Sequence, residues 1–202
     1  NRCDAMSTVY NQYTRNDEIC DLCKYLEDPD CRIQNFFLNV DPEYLSDVIA
    51  SIDKNNSITS LGIYHYGFEN HALLMLSSSL KTNYTLREIV LNDIRDEAAV
   101  ALATNLKTNI VLQSVYLGES FIGNRGGIAL AESLKTNNTL QELDLRENNI
   151  GDDGAIAFAE SLKTNNTLVC LCLTDNNIGY VGEIALVKSL GSNISVSSKN
   201  LL

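Results

Sequence analysis

The chain is short of several features that mark common protein classes. It has two prolines and two histidines among 202 residues, and 15 lysines and arginines against 26 aspartates and glutamates. No apolar run approaches the roughly 20 residues that a membrane-spanning helix requires. The few prolines and the charged fraction of 20% argue against intrinsic disorder, and the formal net charge of -11 argues against nucleic-acid binding. We therefore expect no membrane insertion and no nucleic-acid partner.

The chain does contain an internal repeat. The decapeptide AESLKTNNTL occupies residues 131–140 and returns unchanged at 159–168, which indicates a repeat period of about 28 residues. None of the resulting units has enough apolar area to fold alone, so neighbouring units must stack. The six units span residues 33–57, 58–85, 86–111, 112–139, 140–167 and 168–195.

Each unit opens with a pattern that is typical of a short strand. Leucines recur as L-x-x-L-x-L, and the last two, Leu143 and Leu145 in one unit, alternate so that one face of the strand points inward. The turn RENNIGDDG at 146–154 follows. Its glycines give the backbone freedom, and Asp152 or Asp153 is placed to cap a helix.

The second half of each unit predicts a helix. In AIAFAESLK at 155–163, an apolar face at helical spacing comprises Ile156, Ala159 and Leu162, with Ile128 at the equivalent place one unit earlier. The segment KTNNT then ends the helix, and Asn165 is predicted to adopt a left-handed cap. Each unit is thus a strand, a turn and a helix.

The consensus L-x-x-L-x-L-x-x-N-x-I-G-x-x-G-A, with Asn148 and Ile150 in place, resembles the leucine-rich repeat of the ribonuclease-inhibitor-like subfamily. The resemblance covers residues 18–202. The stretch LKTNNTLQELDLRENNIGDDGAIAFAESL at 134–162 is similar to repeats of NOD-like receptors and of bacterial leucine-rich repeat effectors. This resemblance implies an α/β horseshoe with parallel strands on its concave face and helices on its convex face. Receptor activity is not implied, because no nucleotide-binding or signalling domain accompanies the repeats.

Three regions follow from the repeat. Residues 1–32 are expected to form an N-terminal cap with a first helix that Asp17 caps. Residues 33–195 form six leucine-rich repeats of roughly 25–28 residues each, a length that is ordinary for such repeats. Residues 196–202 begin another strand but place Lys199 where a core leucine is expected. They are therefore either a partial last repeat or an edge strand.

The six cysteines show no regular disulfide framework, which favours free thiols in a reducing compartment. Cys20 and Cys23 occupy positions that carry apolar core residues in later units, so we expect them in the core. The alternative is a redox pair or, with Cys3 and Cys31, a zinc site. The expected location is the cytoplasm of the cell in which the protein acts, and a secreted effector delivered to a host cytosol stays an alternative.

Catalytic patterns are missing. The chain has no G-x-x-x-x-G-K-[ST], G-x-S-x-G, H-E-x-x-H or EF-hand pattern. Cys170 and Cys172 have no histidine base nearby, since His65 and His71 lie four strands away, roughly 20 Å at about 4.8 Å per strand. Acids such as Glu142 are expected to be solvated. The sequence therefore predicts a non-enzymatic protein without cofactor, metal or catalytic residues.

The strand positions between the leucines should face the open side of the horseshoe. These positions are aromatic and neutral in the early units and acidic in the later ones, with one arginine. Exposed aromatics on rigid strands serve as interface anchors, and rows of acids select basic partners. The predicted partner-binding residues are Phe37, Tyr64, His65, Glu88, Asp93, Tyr116, Glu119, Glu142, Asp144, Arg146, Glu147, Cys170, Cys172 and Asp175.

This surface predicts a module that binds a protein partner, of basic character, on its concave face, as part of a larger receptor or as a secreted bacterial effector. The alternative is a structural or self-associating scaffold, and the oligomeric state stays open. A less favoured alternative is the cysteine-dependent redox or zinc site near the amino terminus.

Overall fold

A computed structural model describes residues 8–13, 16–40, 42–64 and 70–190. Over these residues strands and helices alternate, and each strand pairs in parallel with the next, so that seven strands form one sheet in chain order. None of the helices described here is long and apolar enough to cross a membrane. The elements are β1 (Thr8–Tyr13), α1 (Asn16–Leu26), β2 (Asn35–Val40), α2 (Pro42–Lys54), β3 (Ser60–Ile63), α3 (Asn70–Ser79), β4 (Glu88–Leu91), α4 (Asp96–Leu106), β5 (Ser114–Tyr116), α5 (Asn124–Leu134), β6 (Glu142–Asp144), α6 (Asp152–Leu162), β7 (Cys170–Cys172) and α7 (Tyr180–Leu190).

The strand register keeps equivalent residues of neighbouring repeats side by side. Leu61, Ile89, Val115, Leu143 and Leu171 pair in succession from β3 to β7, and all five are buried. Because side chains alternate along a strand, the residues on either side of this row point to the opposite face of the sheet. The register therefore places the variable strand residues in continuous rows.

Helices complete the core on the leucine side of the sheet. The prediction that Ile156 and Ile128 lie on the core face was wrong, since Ile156 is half-buried and Ile128 is 37% exposed. The buried apolar side chains of α6 follow the spacing i, i+3, i+4 and i+7, which leaves Ile156 at the margin of that face. They are Ala155, Phe158, Ala159 and Leu162.

Asparagines at the helix ends tie repeats to the ones before them, as the buried Asn165 shows. The Nδ2 atom of Asn165 donates to the carbonyl oxygens of Leu134 (2.8 Å) and Asn137 (3.0 Å) in the preceding repeat. Its Oδ1 atom accepts hydrogen bonds from the backbone N–H groups of Thr167 (3.1 Å) and Leu168 (2.9 Å). One side chain thus satisfies backbone groups of two repeats where the helix returns to the strand.

The prediction that Asn165 adopts a left-handed cap was wrong, because its side chain, rather than its backbone, closes the turn. Equivalent bonds from an asparagine Oδ1 to two backbone N–H groups recur at Asn55, Asn83, Asn109 and Asn137. Among the described residues other than glycine, a positive φ occurs at Asp93, Glu119, Glu147 and Asp175.

A second set of bonds between repeats lies at the helix starts. Oδ1 of Asp152 accepts hydrogen bonds from the backbone N–H groups of Gly179 (2.7 Å) and Gly182 (2.9 Å), which belong to the next repeat. Asn124 and Asp96 make the same pair of bonds one and two repeats earlier. The N-cap residue of α6 itself makes no side-chain cap bond. Asp152 therefore caps a helix, as predicted, but the helix is that of its neighbour.

The amino-terminal region contains a strand that the sequence did not predict. β1 pairs in parallel with β2 over its whole length, from Thr8 with Asn35 to Tyr13 with Val40. The predicted cap at Asp17 concerns a side chain outside the described residues, as does the predicted edge position of Lys199.

The structure separates the amino-terminal cysteines. Cys31 is buried in the core, and Cys23 is half-buried with a thiol pKa that burial raises. Cys20 is exposed, so the expectation that it lies in the core was wrong. The reason is that α1 buries Ile19 and Leu22 instead, which turns Cys20 outward. Cys3 lies outside the described residues.

Candidate functional site

The candidate site is the face of the sheet that points away from the helices, here called the open face. The register defines two rows of side chains that cross the strands. In the backbone register, β1 places Tyr10 beside Phe37, a position that the sequence analysis missed. The first row comprises Asn35, Ser60, Glu88, Ser114, Glu142 and Cys170, and the second comprises Phe37, Gly62, Val90, Tyr116, Asp144 and Cys172.

An aromatic pair occupies the early end of the open face. The rings of Phe37 and Tyr64 stack with their centroids 6.3 Å apart and an interplanar angle of 23°. Gly62 makes this possible, because a Cβ atom there would lie 2.2 Å from Cδ1 of Phe37. Tyr64 remains 38% exposed. Two predicted residues therefore form one aromatic surface, while His65, predicted beside them, lies outside the described residues.

Tyr116 occupies the centre of the open face. Its hydroxyl donates a hydrogen bond to Oε2 of Glu142 at 2.5 Å. Burial, followed by the hydrogen bond to Glu142 and the negative charges of Glu142 and Glu88, raises the pKa of Tyr116 to about 12. The phenol therefore keeps its proton and holds the Glu142 carboxylate in place on the sheet.

Asp144 and Arg146 form an ion pair beside Tyr116. The guanidinium donates to Oδ2 of Asp144 from Nε (2.7 Å) and also from Nη2, and the backbone N–H of Arg146 donates to Oδ1 (3.0 Å). These bonds and the carboxylate charge raise the pKa of Arg146. Asp144 is buried and its charge is compensated. The arginine of the predicted set is thus committed to a neighbour within the protein.

Glu88 and Glu142 share a different arrangement. Oε1 of Glu88 accepts a hydrogen bond from the Ser60 hydroxyl at 2.6 Å, just as Glu142 accepts one from Tyr116. Within the described part of the chain, the second oxygen of each carboxylate has no hydrogen-bond donor. Each carboxylate is therefore oriented by a side chain of the neighbouring strand through one of its two oxygens.

Two open depressions adjoin Tyr116. The first, of about 320 Å³, lies between Tyr116, Glu142, Cys170 and Cys172, and the second, of about 260 Å³, extends towards Tyr64. Tyr116 and the ion pair beside it line both depressions. The centre of the open face is thus a ridge with a depression on either side.

Four of the predicted acids do not lie on strands. Asp93, Glu119, Glu147 and Asp175 all have φ between 51° and 55°, in the left-handed region. The backbone N–H of Glu119 donates to the carbonyl of Arg146 at 3.1 Å, so the turns also pair from repeat to repeat. Each left-handed residue follows the end of β4, β5, β6 or β7 by two or three residues, and the four acids form a row beyond the carboxyl edge of the sheet.

The two cysteines of β7 lie on the open face as predicted by their alternation, and both are half-buried. Sγ of Cys172 lies 3.3 Å from Oγ1 of Thr174, within hydrogen-bond distance. Over the described ranges, no group of three or more histidine, cysteine, aspartate or glutamate side chains is arranged to hold a metal ion.

The environment of Tyr116 predicts an alkaline titration. Its folded pKa of about 12 exceeds the ordinary value of 10.0, so its contribution to stability is fully present below pH 10 and is lost as the pH rises towards 12. The difference in near-ultraviolet absorbance between the native protein and Tyr116→Phe should report a phenol that ionises near 12. Glu142→Gln should lower that pKa. A difference signal that develops around pH 10 would contradict the burial and hydrogen bonding described for Tyr116.

Comparison with known proteins identifies the fold. A leucine-rich repeat family model matches residues 136–159 and 164–187. A solved structure titled Leiomodin-1 Actin-Binding Site 2 is similar over 90% of this chain and 91% of that chain, with a TM-score of 0.54 and 22% sequence identity. The tropomodulin C-terminal domain of Caenorhabditis elegans is similar over 76% of this chain and 93% of that chain, with a TM-score of 0.52 and 13% identity. A search of curated proteins gives no match.

These findings confirm the predicted fold class, an α/β leucine-rich repeat solenoid. Because the two structural neighbours share only 22% and 13% of their sequence with this chain, the likeness concerns the fold alone. The resemblance to the ribonuclease-inhibitor-like subfamily, to NOD-like receptors and to bacterial effectors stays a prediction.

Proposed function

We propose that this leucine-rich repeat protein is a non-enzymatic module that binds a protein partner on the open face of its sheet. The observation that carries the proposal is the ridge at Tyr116, where an oriented carboxylate, an aromatic ring and two depressions meet on rigid strands. Interface anchors are typically aromatic side chains held by a rigid scaffold. The Phe37 and Tyr64 stack offers a second anchor at the early end.

Charge distinguishes the open face from the helix side. On the helices, Glu132 pairs with Lys135 at 2.6 Å and Glu160 pairs with Lys163 at 2.5 Å, so these acids are compensated locally. On the open face, no lysine or arginine of the described residues pairs with Glu88 or Glu142, and the acids of the turn row add to their charge. This contrast favours a partner with basic groups, which complementary charge steers to the site.

The cytoplasm of the cell in which the protein acts, including the cytosol of a host cell, is the location that we propose. Free thiols at Cys23, Cys31 and Cys172 accord with a reducing compartment. Of the solved neighbours, one is titled as an actin-binding site. Actin is therefore included as one arm of the test, and the fold likeness alone does not make it the partner.

The test uses the full chain as bait for a displayed library of random peptides, with actin as a separate ligand. Ligands should bind the native protein and lose at least tenfold in affinity with Tyr64→Ala, Tyr116→Ala and Glu142→Gln combined. The matched control combines Glu132→Gln and Glu160→Gln on the helix side and should leave affinity unchanged. Circular dichroism and denaturation check that each variant folds.

Ligands that bind the open-face variant as tightly as the native protein, and that lose affinity with the helix-side variant, would refute the proposal. The competing scaffold hypothesis predicts instead that no ligand is enriched and that the native chain self-associates. Sedimentation of the native chain, alone and with an enriched peptide, separates these two functions.

A further inference from the structure

The two oriented carboxylates of the open face have a fixed separation. Glu88 on β4 and Glu142 on β6 occupy the same row, and β5 lies between them with Ser114 at that register position. Neighbouring strands lie about 4.8 Å apart, so the two attachment points are about 10 Å apart. Ser114, the residue at the register position between them, carries no charge.

The orientation of each carboxylate comes from a different neighbour. Ser60 on β3 holds one oxygen of Glu88, and Tyr116 on β5 holds one oxygen of Glu142. Both donors belong to strands of the rigid sheet. Each glutamate side chain is therefore restricted to few rotamers, and its remaining oxygen has a fixed position. Preorganised acceptors lose less conformational freedom when a ligand binds.

An apolar surface separates the two carboxylates. The Tyr116 ring is half-buried and leans towards Glu142, and Val90 adjoins it in the second row. A partner segment that crosses from β4 to β6 must therefore pass over Ser114 and the Tyr116 ring. Its middle contacts an aromatic surface while its ends reach carboxylates.

From this geometry we propose that the partner is a protein segment with two cationic side chains and an apolar side chain between them. The two cationic groups are spaced by about 10 Å, which is the distance across two strand intervals of the sheet. The segment crosses the strands, with one cationic group at Glu88 and the other at Glu142. The inference rests on the proposed function, and it adds a spacing rule that the proposed function does not contain. A segment with the same charges at another spacing pairs with one carboxylate only.

Polyproline peptides can test this spacing, because their helix rises about 3.1 Å per residue with three residues per turn. Lysines at positions i and i+3 lie on one side about 9 Å apart, whereas lysines at i and i+6 lie about 19 Å apart. At low ionic strength, the first peptide should bind about fivefold more tightly, since one charge pair contributes a factor of that order near a solvated surface.

Glu88→Gln and Glu142→Gln should each remove the preference for the i, i+3 peptide. The matched control is Glu132→Gln, which removes a helix-side carboxylate and should leave the preference intact. Fluorescence anisotropy with the full chain gives the affinities, and competition with a library-derived open-face ligand shows that the peptides occupy that face.

The outcomes separate the two proposals. The spacing rule would be overturned if the two polyproline peptides bound equally well, or if the i, i+3 peptide failed to bind or to compete. It would also be overturned if both glutamine variants kept the preference for the i, i+3 peptide. Library ligands that still depend on Tyr64 and Tyr116 would then leave the proposed function standing. If no ligand depends on the open face, both proposals fail.

Discussion

Replacement of Asn165 by alanine is expected to lower the free energy of unfolding by about 3 kcal/mol, one of the largest effects of any polar substitution in the chain. Asn165 is 4% exposed and its side chain bonds four backbone groups in two successive repeats. Alanine would leave the carbonyls of Leu134 and Asn137 and the N–H groups of Thr167 and Leu168 without these partners. Buried polar groups without partners carry the full cost of desolvation.

The adjacent Asn166 supplies the matched control. It lies in the same turn, is exposed, and makes one long side-chain bond, to the carbonyl of Thr164 at 3.4 Å. Asn166→Ala should change stability by less than about 0.5 kcal/mol. Chemical denaturation followed by circular dichroism compares the two variants. Equal stability of the two would show that the asparagine bonds do not hold the repeats together.

The second large loss of stability is expected for alanine at Gly126, the first of two adjacent glycines at the start of α5. A Cβ atom at Gly126 would lie 2.7 Å from Oδ1 of Asp96, 2.7 Å from Cγ2 of Ile122 and 2.9 Å from Cβ of Ala99. Gly126→Ala should therefore push α5 away from the preceding helix and weaken the cap from Asp96. Overpacking of this kind costs roughly 2 kcal/mol, with a range of about 1 to 3 kcal/mol.

Gly127→Ala should behave differently although the residue is adjacent. Its Cβ atom would lie 3.3 Å from Cγ1 of Ile150, whose side chain can shift, and the neighbouring repeats carry Ala99 and Ala155 at this place. Alanine in a helix is also more stable than glycine by about 1 kcal/mol, which offsets the cost of the close contact. We expect a net change within about 0.5 kcal/mol. Thermal and chemical denaturation of both variants checks the contrast, and a larger loss for Gly127→Ala than for Gly126→Ala would contradict it.

The fold could be predicted in most of its parts because its information lies within one repeat. The leucine spacing defines the buried row that includes Leu143 and Leu171, and the repeat period defines the stacking of strand on strand. β1 was missed because the segment Thr8–Tyr13, TVYNQY, is mainly polar and aromatic and lacks the leucine pattern.

The contacts between repeats could not be predicted from one repeat. Asn165 and Asp152 each look like local caps in the sequence, but their partners lie in the repeats before and after them. Cys20 and Ile128 were expected in the core from their alignment, and both are exposed because the buried stripe of each helix is narrower than its apolar pattern.

The candidate site, too, could be predicted only as far as it depends on the pattern within one repeat. Alternation along the strands was enough to place Glu142 and Cys172 on one face, since that depends on the period of a strand. The hydrogen bond from Tyr116 to Glu142 and the stack of Phe37 on Tyr64 depend on which strands are neighbours and on the absence of a side chain at Gly62. Whether the predicted residues bind a partner stays a prediction.

The central claim is that the open face, rather than the helix side, receives the partner. Chemical-shift perturbation in the isotopically labelled full chain, titrated with a library-derived peptide, tests it most directly. We predict shifts for the backbone amides of Glu88, Ser114, Tyr116 and Glu142 and for Tyr64, with the outward residues Glu132 and Glu160 unchanged. Shifts concentrated on the helices around Glu132 and Glu160, with Tyr116 unchanged, would contradict it.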